Sequence, residues 1–319
     1  MLAPFRTSAV EAYHTLAKVL RSRLHESQPS WADVRRLIET RRVTVNGTLC
    51  TDEARRLHEG DEVVLLAQSA HRPKASTPAG LVVRHLDESI IVVEKASGLN
   101  TVRHPKELEW SERRRELVPT LQDVALWAIE QQRPGGGTLP PLRIVHRLDK
   151  ETSGLLVFAR TPQAERDLGL QFRQHTVVRR YLALVPGVPK PQTISNFLVR
   201  DRGDGRRGST PLSNMGKRAV THIEIEEQLK GYTLLSCRLE TGRTHQIRIH
   251  LSEAGHPICG DKVYCKRANG DEFEDRSGAP RLALHATELG FVHPFTNAKL
   301  HWTMPLPNDL QKLVTRLRG

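Results

Sequence analysis

An aspartate lies among basic residues in the stretch "HRLDKETSG", which runs from His146 to Gly154. Asp149 follows Arg147 by two positions and directly precedes Lys150, and the apolar runs "LRIV" and "LLVFA" border the stretch. These runs predict two short strands, and a turn held by a sheet suits a catalytic group. The flanking cations favour an ionised carboxylate, which can act as a nucleophile or a base. A salt-bridged turn explains the same residues, so both interpretations stay open at this point.

A second dense stretch, "LETGRTHQIRIHLSEAGHPICGD", covers residues 239–261. Strict alternation of its isoleucines and leucine fits a strand. Thr244 before these apolar residues and Gly255 after them are helix cap signals, and we favour a short helix. Arg248 would then lie in or just past the first turn, where a cation is unfavourable against the helix dipole. A buried anion such as Asp149 would compensate for that position.

Three histidines of this stretch, His245, His250 and His256, raise the question of a metal site. Neither an HExxH pattern nor a local Cys/His spacing is present, so we predict no metal. The chain also lacks a P-loop, a GxGxxG after a strand and a nucleophile-elbow serine. Nucleotide hydrolysis, dinucleotide redox chemistry and serine hydrolysis are therefore poorly supported.

Composition indicates a basic protein of the reduced cytosol. The 319 residues carry a formal net charge of +12, which favours a polyanionic partner such as nucleic acid over a merely basic surface. Aromatic residues make up only 5%, so an extended base-stacking platform is not expected. No apolar run approaches the roughly 20 residues of a membrane span. The four cysteines form no CxxC pair, and we expect a cytoplasmic protein without a membrane partner.

The elements that position these stretches divide into two predicted domains. Residues 1–67 read as a small α+β unit with two helices, a hairpin turning at Asn46-Gly47 and a final strand "EVVLL". Residues 68–79 are polar and proline-containing, as in a linker. Residues 80–319 mix strands and helices without a regular βαβ rhythm. This pattern predicts an α+β fold with a mixed, largely antiparallel central sheet and flanking helices.

Basic residues cluster where the second helix of the small unit ends and its hairpin begins: Arg35, Arg36, Arg41 and Arg42. Such a cluster is either a solvated face or an RNA contact. The order of helix, helix, basic end, "VTVNG" and "GDEVVL" resembles the S4-type RNA-binding domain, although "YHTLAKVL" replaces its usual opening. A further basic segment, residues 200–218, is predicted to be a mobile loop that either folds onto RNA or remains solvated.

The order of motifs over residues 82–305 resembles the RluA family of pseudouridine synthases. The matching stretches are "IIVVEKASGLNTVRHP", "VHRLDKETSGLLVFAR", "VVRRYLALV", "LETGRTHQIRIHLSEAGHPICGDKVY" and "RLALHA". The chain departs from the first motif by Ala96 in place of a proline. The resemblance implies the pseudouridine synthase fold and the isomerisation of uridine in RNA without a cofactor.

The resemblance also implies roles for individual residues. Asp149 matches the catalytic aspartate, and Tyr181 matches the active-site tyrosine, which can stack on uracil and assist proton removal from C5. Arg248 matches the basic residue held against the aspartate, with Arg243 as the second candidate.

Two further positions follow from the same match. Arg147 matches the arginine that helps displace the target base, and Leu284 matches a residue that packs on uracil. We expect large-subunit ribosomal RNA as the substrate, because the front domain is typical of such family members, and a monomeric protein. The alternatives are a transfer RNA synthase, an inactive RNA-binding or ribosome assembly factor, and a metal-dependent RNA hydrolase.

Overall fold

The computed structural model describes residues 3–24, 29–67, 81–131, 139–203, 205–265 and 273–319. The predicted linker at 68–79 and part of the predicted loop "RPGGGTLPP" lie outside these ranges. The chain forms two compact units, one from Met1–Leu81 with Val102–Leu142 and the other from Val82–Thr101 with Arg143–Gly319. Val102–Leu142 therefore belongs to the same unit as the N-terminal residues. The domain boundaries expected from the sequence stay a prediction.

The N-terminal part of the first unit has a small antiparallel sheet and two helices. Its elements are β1 (Phe5–Arg6), α1 (Leu16–Arg23), α2 (Trp31–Glu39), β2 (Val43–Val45), β3 (Thr48–Leu49) and β4 (Glu62–Leu65). The strand order is β1-β4-β2-β3, and the β2–β3 hairpin turns at Asn46-Gly47 as predicted. Leu16 and Leu20 of α1 pack with Val34 and Ile38 of α2 in the core.

Helix α2 begins as its sequence predicts. The Ser30 side chain accepts from the Asp33 amide, and the Asp33 carboxylate accepts from the Ser30 amide, which forms a capping box. Trp31 is 49% exposed. Trp31 is the first residue of the helix, and its ring lies 4.4 Å from the Arg21 guanidinium, where a cation–π contact forms.

Residues 102–142 contribute a short 3-10 helix (Pro105–Glu107), α3 (Glu112–Leu117) and α4 (Leu121–Gln131). Thr120 caps α4 as predicted, and its amide donates to the Asp123 carboxylate at 2.9 Å. Leu121, Val124 and Ala125 are buried on the inner face of this helix.

The second unit is built on one large sheet. Its strands are β5 (Val83–Leu86), β6 (Ile90–Lys95), β7 (Arg143–Ile144), β8 (Ser153–Ala159), β9 (Val178–Pro186), β10 (Gln192–Val199), β11 (Gly208–Thr210), β12 (Lys217–Leu229), β13 (Tyr232–Leu239), β14 (Leu284–Val292) and β15 (Lys299–Thr303). The order is β11-β10-β12-β13-β9-β14-β8-β6-β5, with β15 beside β14 and β7 beside β8. Only the β8–β14 pair is parallel among the described strands. The predicted mixed, largely antiparallel sheet is confirmed.

Three helices accompany the sheet: α5 (Pro162–Arg173), α6 (Gln246–Glu253) and α7 (Asn308–Arg318). Ala164 and Leu168 of α5 pack on the buried strand β8, and Val314 of α7 packs on Leu182 and Leu234. Thr161 caps α5, since its side chain accepts from the Ala164 amide. Within the described ranges, no helix is both long enough and apolar enough to cross a membrane.

The prediction of a loop throughout residues 200–218 is wrong in two places. Gly208–Thr210 forms β11, which pairs with β10, and Lys217 and Arg218 begin β12. Strand β11 lies at the sheet edge and pairs through its backbone. It has no apolar side chain, so it carries no alternation for a sequence pattern to reveal.

Candidate active site

The candidate site lies next to one row of paired residues that crosses four strands of the sheet. Lys95 on β6 pairs with Gly154 on β8, Gly154 pairs with Ala286 on β14, and Ala286 pairs with Tyr181 on β9. The loop that carries Asp149 enters β8 just before this row. The sheet register therefore brings four strands that are separated in sequence to one level of the sheet.

Gly154 makes this close pairing possible. Its φ of +127° lies in a region that residues with side chains rarely adopt, and a Cβ there would overlap the Ala286 carbonyl group. Any other residue would push β8 away from β14, and the Asp149 loop would move with it.

Lys95 stabilises the Asp149 loop through hydrogen bonds from its ammonium group. Its ammonium group donates to the carbonyl oxygens of Lys150 (2.8 Å), Thr152 (2.7 Å) and Ala96 (2.9 Å). Three carbonyls match the three donors of an ammonium group. Burial lowers the pKa of Lys95 to about 7, while the negative charges of Asp149 and Glu151 oppose that shift.

Thr101 stabilises the loop at Leu148, the residue before Asp149. Its hydroxyl donates to the Leu148 carbonyl at 2.7 Å, and the Leu148 amide donates to the same hydroxyl at 3.1 Å. The Gly98 amide donates to the Lys150 carbonyl at 2.9 Å. The stretch around "EKASGLNT" thus holds the loop in place through its backbone.

A cavity of about 560 Å³ opens above this loop. Its lining includes all six residues that the sequence placed at the site of the second domain: Arg147, Asp149, Tyr181, Arg243, Arg248 and Leu284. The structure therefore brings together residues that span 138 positions of the chain, from 147 to 284 when both ends are counted.

Asp149 lies between two basic side chains. Its Oδ2 is 3.9 Å from Arg248 Nη1, and its Oδ1 is 3.9 Å from His245 Nε2. Both separations exceed the range of a direct hydrogen bond. The Asp149 side chain is 17% exposed, so the carboxylate faces the cavity without being locked to either neighbour.

Arg248 is fixed by a different carboxylate. Its Nε and Nη2 donate to Asp261 at 2.7 and 2.8 Å, and the Asp261 side chain is fully buried. Burial alone would raise the pKa of Asp261, but the hydrogen bonds and charge of Arg248 outweigh it and lower the pKa. The expected placement of Arg248 beside Asp149 is present as an ion pair at 3.9 Å, while the hydrogen bonds of Arg248 go to Asp261 and leave Nη1 aimed at Asp149.

The helix interpretation of the second dense stretch is confirmed as α6, and the strand alternative is wrong. The helix begins at Gln246, with His245 rather than Thr244 as the N-cap residue. Its first turn is held by the Gln246 side chain, whose oxygen accepts from Thr241 Oγ1 (2.7 Å) and from the Arg243 amide (3.0 Å). All residues from Gln246 to Ser252 are buried, which explains why no amphipathic period was visible.

Tyr181 lies in the cavity wall with 8% of its surface exposed. Burial raises the pKa of Tyr181 to about 12; the Asp149 charge adds to this shift, and Arg179 opposes it. The side chain is therefore a neutral phenol near pH 7, able to stack and to hydrogen-bond. Leu284, at the start of β14, is buried in the same wall.

The two other arginines that the sequence placed at the site, Arg243 and Arg147, differ in how firmly they are held. Arg243 Nε donates to the Arg218 carbonyl at 3.0 Å. Arg147 is exposed, and in the part of the chain that the structure describes its guanidinium has no hydrogen bond or ion pair. Arg147 is thus the more adaptable cation at the mouth of the cavity.

The four arginines predicted in the first unit have different environments. Arg35 Nε lies 2.7 Å from Glu53, Arg36 is exposed, and Arg42 Nε donates to the Leu66 carbonyl at 3.0 Å. Arg41 is only 6% exposed, and its Nη2 lies 3.2 Å from Glu116. Its backbone has a φ of 60°, which turns the side chain inward at the helix end.

The histidines considered as metal ligands have separate partners. His245 contacts Tyr264, His250 contacts Thr221 and Asn196, and His256 contacts the Pro186 carbonyl.

Another group has metal-compatible spacing: His85, Asp87 and His293. His293 Nδ1 accepts from the Phe295 and Thr296 amides at 3.2 and 3.1 Å, so its ring proton must be on Nε2. That proton points to Asp87 at 2.9 Å. A metal at Nε2 would require an anionic ring, so the arrangement favours a hydrogen-bonded cluster.

Sequence reasoning missed four residues that shape the site: Lys95, His245, Asp261 and Tyr264. His245 was considered only as a metal ligand. Asp261 and Tyr264 lie at the end of the quoted motif "HPICGDKVY", and that position was the only available signal.

Comparisons with known proteins identify the class of protein as an RNA pseudouridine synthase. Residues 89–253 match the RNA pseudouridylate synthase family, to which the chain belongs, and residues 17–63 match the S4 domain.

Several relatives carry the name ribosomal large subunit pseudouridine synthase D. The protein from Zymomonas mobilis is 37% identical over 254 residues, which cover 79% of this chain and 77% of that protein. The protein from Nitrosomonas europaea is 34% identical over 296 residues, covering 91% and 82%. Among solved structures, human RNA pseudouridylate synthase domain containing 4 superposes with a TM-score of 0.58 at 25% identity, covering 74% of this chain and 92% of that one.

Proposed function

We propose that this synthase converts uridine to pseudouridine in large-subunit ribosomal RNA, with Asp149 as the reactive carboxylate. The observation that carries the proposal is the placement of Asp149 in the cavity between Arg248 and His245, each 3.9 Å away. The ribosomal substrate is supported by the names of the relatives from Zymomonas mobilis and Nitrosomonas europaea.

The reaction breaks the bond between uracil N1 and ribose C1′, turns the base, and forms a bond from C5 to C1′. The proton on C5 leaves and N1 gains one, so the change is an isomerisation. It needs an ionised carboxylate at the junction of sugar and base and a cavity that retains the free base. The Arg248 guanidinium places a positive charge 3.9 Å from the Asp149 carboxylate.

Tyr181 and Leu284 supply the apolar surface for the base. Both are buried in the cavity wall, and an aromatic ring beside a leucine can enclose a planar uracil. Because its pKa is raised to about 12, Tyr181 enters the reaction as a neutral phenol. Its hydroxyl can hydrogen-bond to the base and assist the transfer of the C5 proton.

Arg147 is proposed to enter the RNA when the target uridine is turned out. Base extrusion costs a few kcal/mol, and a guanidinium can occupy the vacated space by stacking and by contacts to phosphate. The exposure of Arg147 fits this role, because its charge is available to a ligand.

In the first unit, the S4 domain is proposed to contact RNA phosphates through Arg35, Arg36 and Arg42. Arg41 is left out of this surface because it is buried beside Glu116. A cytoplasmic location and a monomeric state, both expected from the sequence, belong to this proposal.

The test compares the full-length protein with Asp149→Asn on transcripts of large-subunit ribosomal RNA and of transfer RNA, with pseudouridine formation as the readout. The wild type should modify the ribosomal transcript, and Asp149→Asn should form no product above background while its RNA affinity stays within about twofold. Asp167→Asn on α5 makes the same chemical change outside the cavity and should keep full activity.

Turnover by Asp149→Asn would contradict the assignment of the carboxylate. Modification of the transfer RNA transcript alone would show that the substrate is transfer RNA and not ribosomal RNA. Loss of activity on chelation would point to a metal-dependent enzyme instead.

A further inference from the structure

We propose that His245 is a positioning residue for the reactive carboxylate, and that Tyr264 directs its ring so that Nε2–H faces Asp149. The inference rests on the role of Asp149 proposed above. It adds a second group beside Asp149, which faces the carboxylate oxygen that Arg248 does not face.

The distances define the arrangement. Asp149 presents one oxygen to His245 Nε2 and the other to Arg248 Nη1, at 3.9 Å in both cases. Hydrogen bonds at catalytic sites are often long in the free enzyme and tighten when substrate is bound. A small movement of the carboxylate, or a bound ribose, would bring either donor into range.

The backbone of His245 indicates that the ring direction is constrained. Its φ of 59° lies in the left-handed region, which residues with a side chain rarely adopt. Although His245 occupies the N-cap position of α6, its side chain makes no capping hydrogen bond. The strained conformation therefore serves to point the ring into the cavity.

Tyr264 determines which ring nitrogen carries the proton. His245 Nδ1 lies 2.9 Å from the Tyr264 hydroxyl, and the two rings meet edge to face at 5.5 Å. If the hydroxyl donates to Nδ1, the proton of the neutral ring is on Nε2 and faces the Asp149 anion. If the hydroxyl accepts instead, a lone pair on Nε2 faces that anion, which is repulsive. Electrostatics therefore selects the first arrangement.

Tyr264 is itself held by Asp261. The Tyr264 amide donates to Asp261 Oδ1 at 3.0 Å, and its ring lies 5.0 Å from the Arg248 guanidinium. Asp261 thus supports both neighbours of Asp149, Arg248 directly and His245 through Tyr264.

Burial keeps the ring of His245 neutral near pH 7. The charged groups that face it are Asp149, Arg248, Arg207 and Asp261. Burial lowers the pKa of His245, the Asp149 charge opposes this shift, and Arg248 and Arg207 reinforce it. Acidification would convert the neutral donor into a second cation beside Asp149. That cation would make the carboxylate less reactive, so activity should fall on the acid side.

The experiment uses His245→Asn and Tyr264→Phe in the full chain, with kcat, RNA affinity and the pH profile of kcat as readouts. Asparagine tolerates the left-handed conformation and can still reach Tyr264, but it is too short to reach Asp149. We expect His245→Asn to lower kcat by about tenfold to a hundredfold, with RNA affinity within about twofold, and to lose the acid limb assigned to His245.

Tyr264→Phe keeps the ring over Arg248 and removes only the hydroxyl. Its kcat should fall by less than that of His245→Asn. The acid limb of its pH profile should move to higher pH, because no hydroxyl donor then opposes protonation of His245 Nδ1. These pH shifts separate a positioning role from a merely structural one. If His245→Asn fails to fold, Tyr264→Phe alone decides the question.

Wild-type kcat and an unchanged acid limb in either folded variant would overturn the inference. A wild-type protein without activity on any RNA would instead overturn the proposed function, so the two failures are distinguishable.

Discussion

The pair of Arg248 and Asp261 provides a demanding test, because it supports the site from within the protein core. The change is Asp261→Asn, which keeps the shape of the side chain and removes its charge. Asp261 accepts two hydrogen bonds from Arg248, at 2.7 and 2.8 Å, and two from the amides of Val263 and Tyr264, at 2.9 and 3.0 Å. An asparagine NH₂ group would face a donor at whichever position it took.

The expected cost follows from burial. The side chains of Arg248 and Asp261 are 8% and 0% exposed, so the variant leaves a buried cation without its counterion. Removing one partner of a buried pair costs about 3–5 kcal/mol. At about 2–4 °C per kcal/mol, the unfolding temperature should drop by about 6–20 °C. We also expect kcat to fall, since Arg248 Nη1 is no longer aimed at Asp149.

Thermal and urea unfolding would measure the loss, and pseudouridine formation would measure kcat. Glu227→Gln is the matched control, because it breaks a charge pair with Arg318 whose side chains are 32% and 48% exposed. Such a surface pair contributes about 0–1 kcal/mol.

The pH dependence adds a further check. The pKa of Asp261 is lowered in the folded state, so its contribution is present above the unfolded pKa and disappears as pH falls through the folded pKa. The difference between wild type and Asp261→Asn should therefore shrink in acid. A loss below about 1 kcal/mol at pH 7 would refute the reasoning about this buried pair.

Two further predictions concern RNA binding and acid stability. Arg147→Ala should reduce modification of a folded RNA more than of a short single-stranded oligonucleotide, because only the folded RNA must be opened; equal losses in kcat/KM on both substrates would argue against a base-displacing role. Burial lowers the pKa of His146 to about 3 and those of His250 and His285 to about 4, so the unfolded chain binds more protons below pH 6.5. The free energy of unfolding should fall as pH decreases from about 6.5 towards 4, by up to about 1.4 kcal/mol per pH unit for each histidine. Urea unfolding at several pH values in this range should show that this free energy depends less steeply on pH in His250→Gln. A flat profile over this window would contradict the neutral buried state of these rings.

Much of the local structure could be predicted from the sequence. The apolar runs on either side of Asp149 became the strands β7 and β8, and β8 is buried along its whole length, as is typical of a short apolar run bounded by turn residues. The caps at Ser30 and Thr161 formed because a side-chain oxygen next to a helix start satisfies a free amide. These are short-range effects that depend on neighbouring residues alone.

The start of α6 could not be predicted in the same way. Thr244 is the better cap by residue type, yet His245 takes the N-cap position with a left-handed backbone. The Gln246 side chain holds this turn through contacts with Thr241 and Val220, which lie earlier in the chain. Tertiary contacts thus outweighed the local preference.

The sequence by itself determined where the reactive groups lie in the chain. The position of Asp149 between two strands, the tyrosine of β9 and the arginine of α6 all follow from patterns and motifs within single stretches. Only the tertiary structure decided which charges pair. Arg248 is bound to Asp261 and merely faces Asp149, and His245 gains its orientation from Tyr264. The physical reason is that a buried charge takes the partner with the best geometry and the least access to water, and that geometry exists only after the sheet has formed.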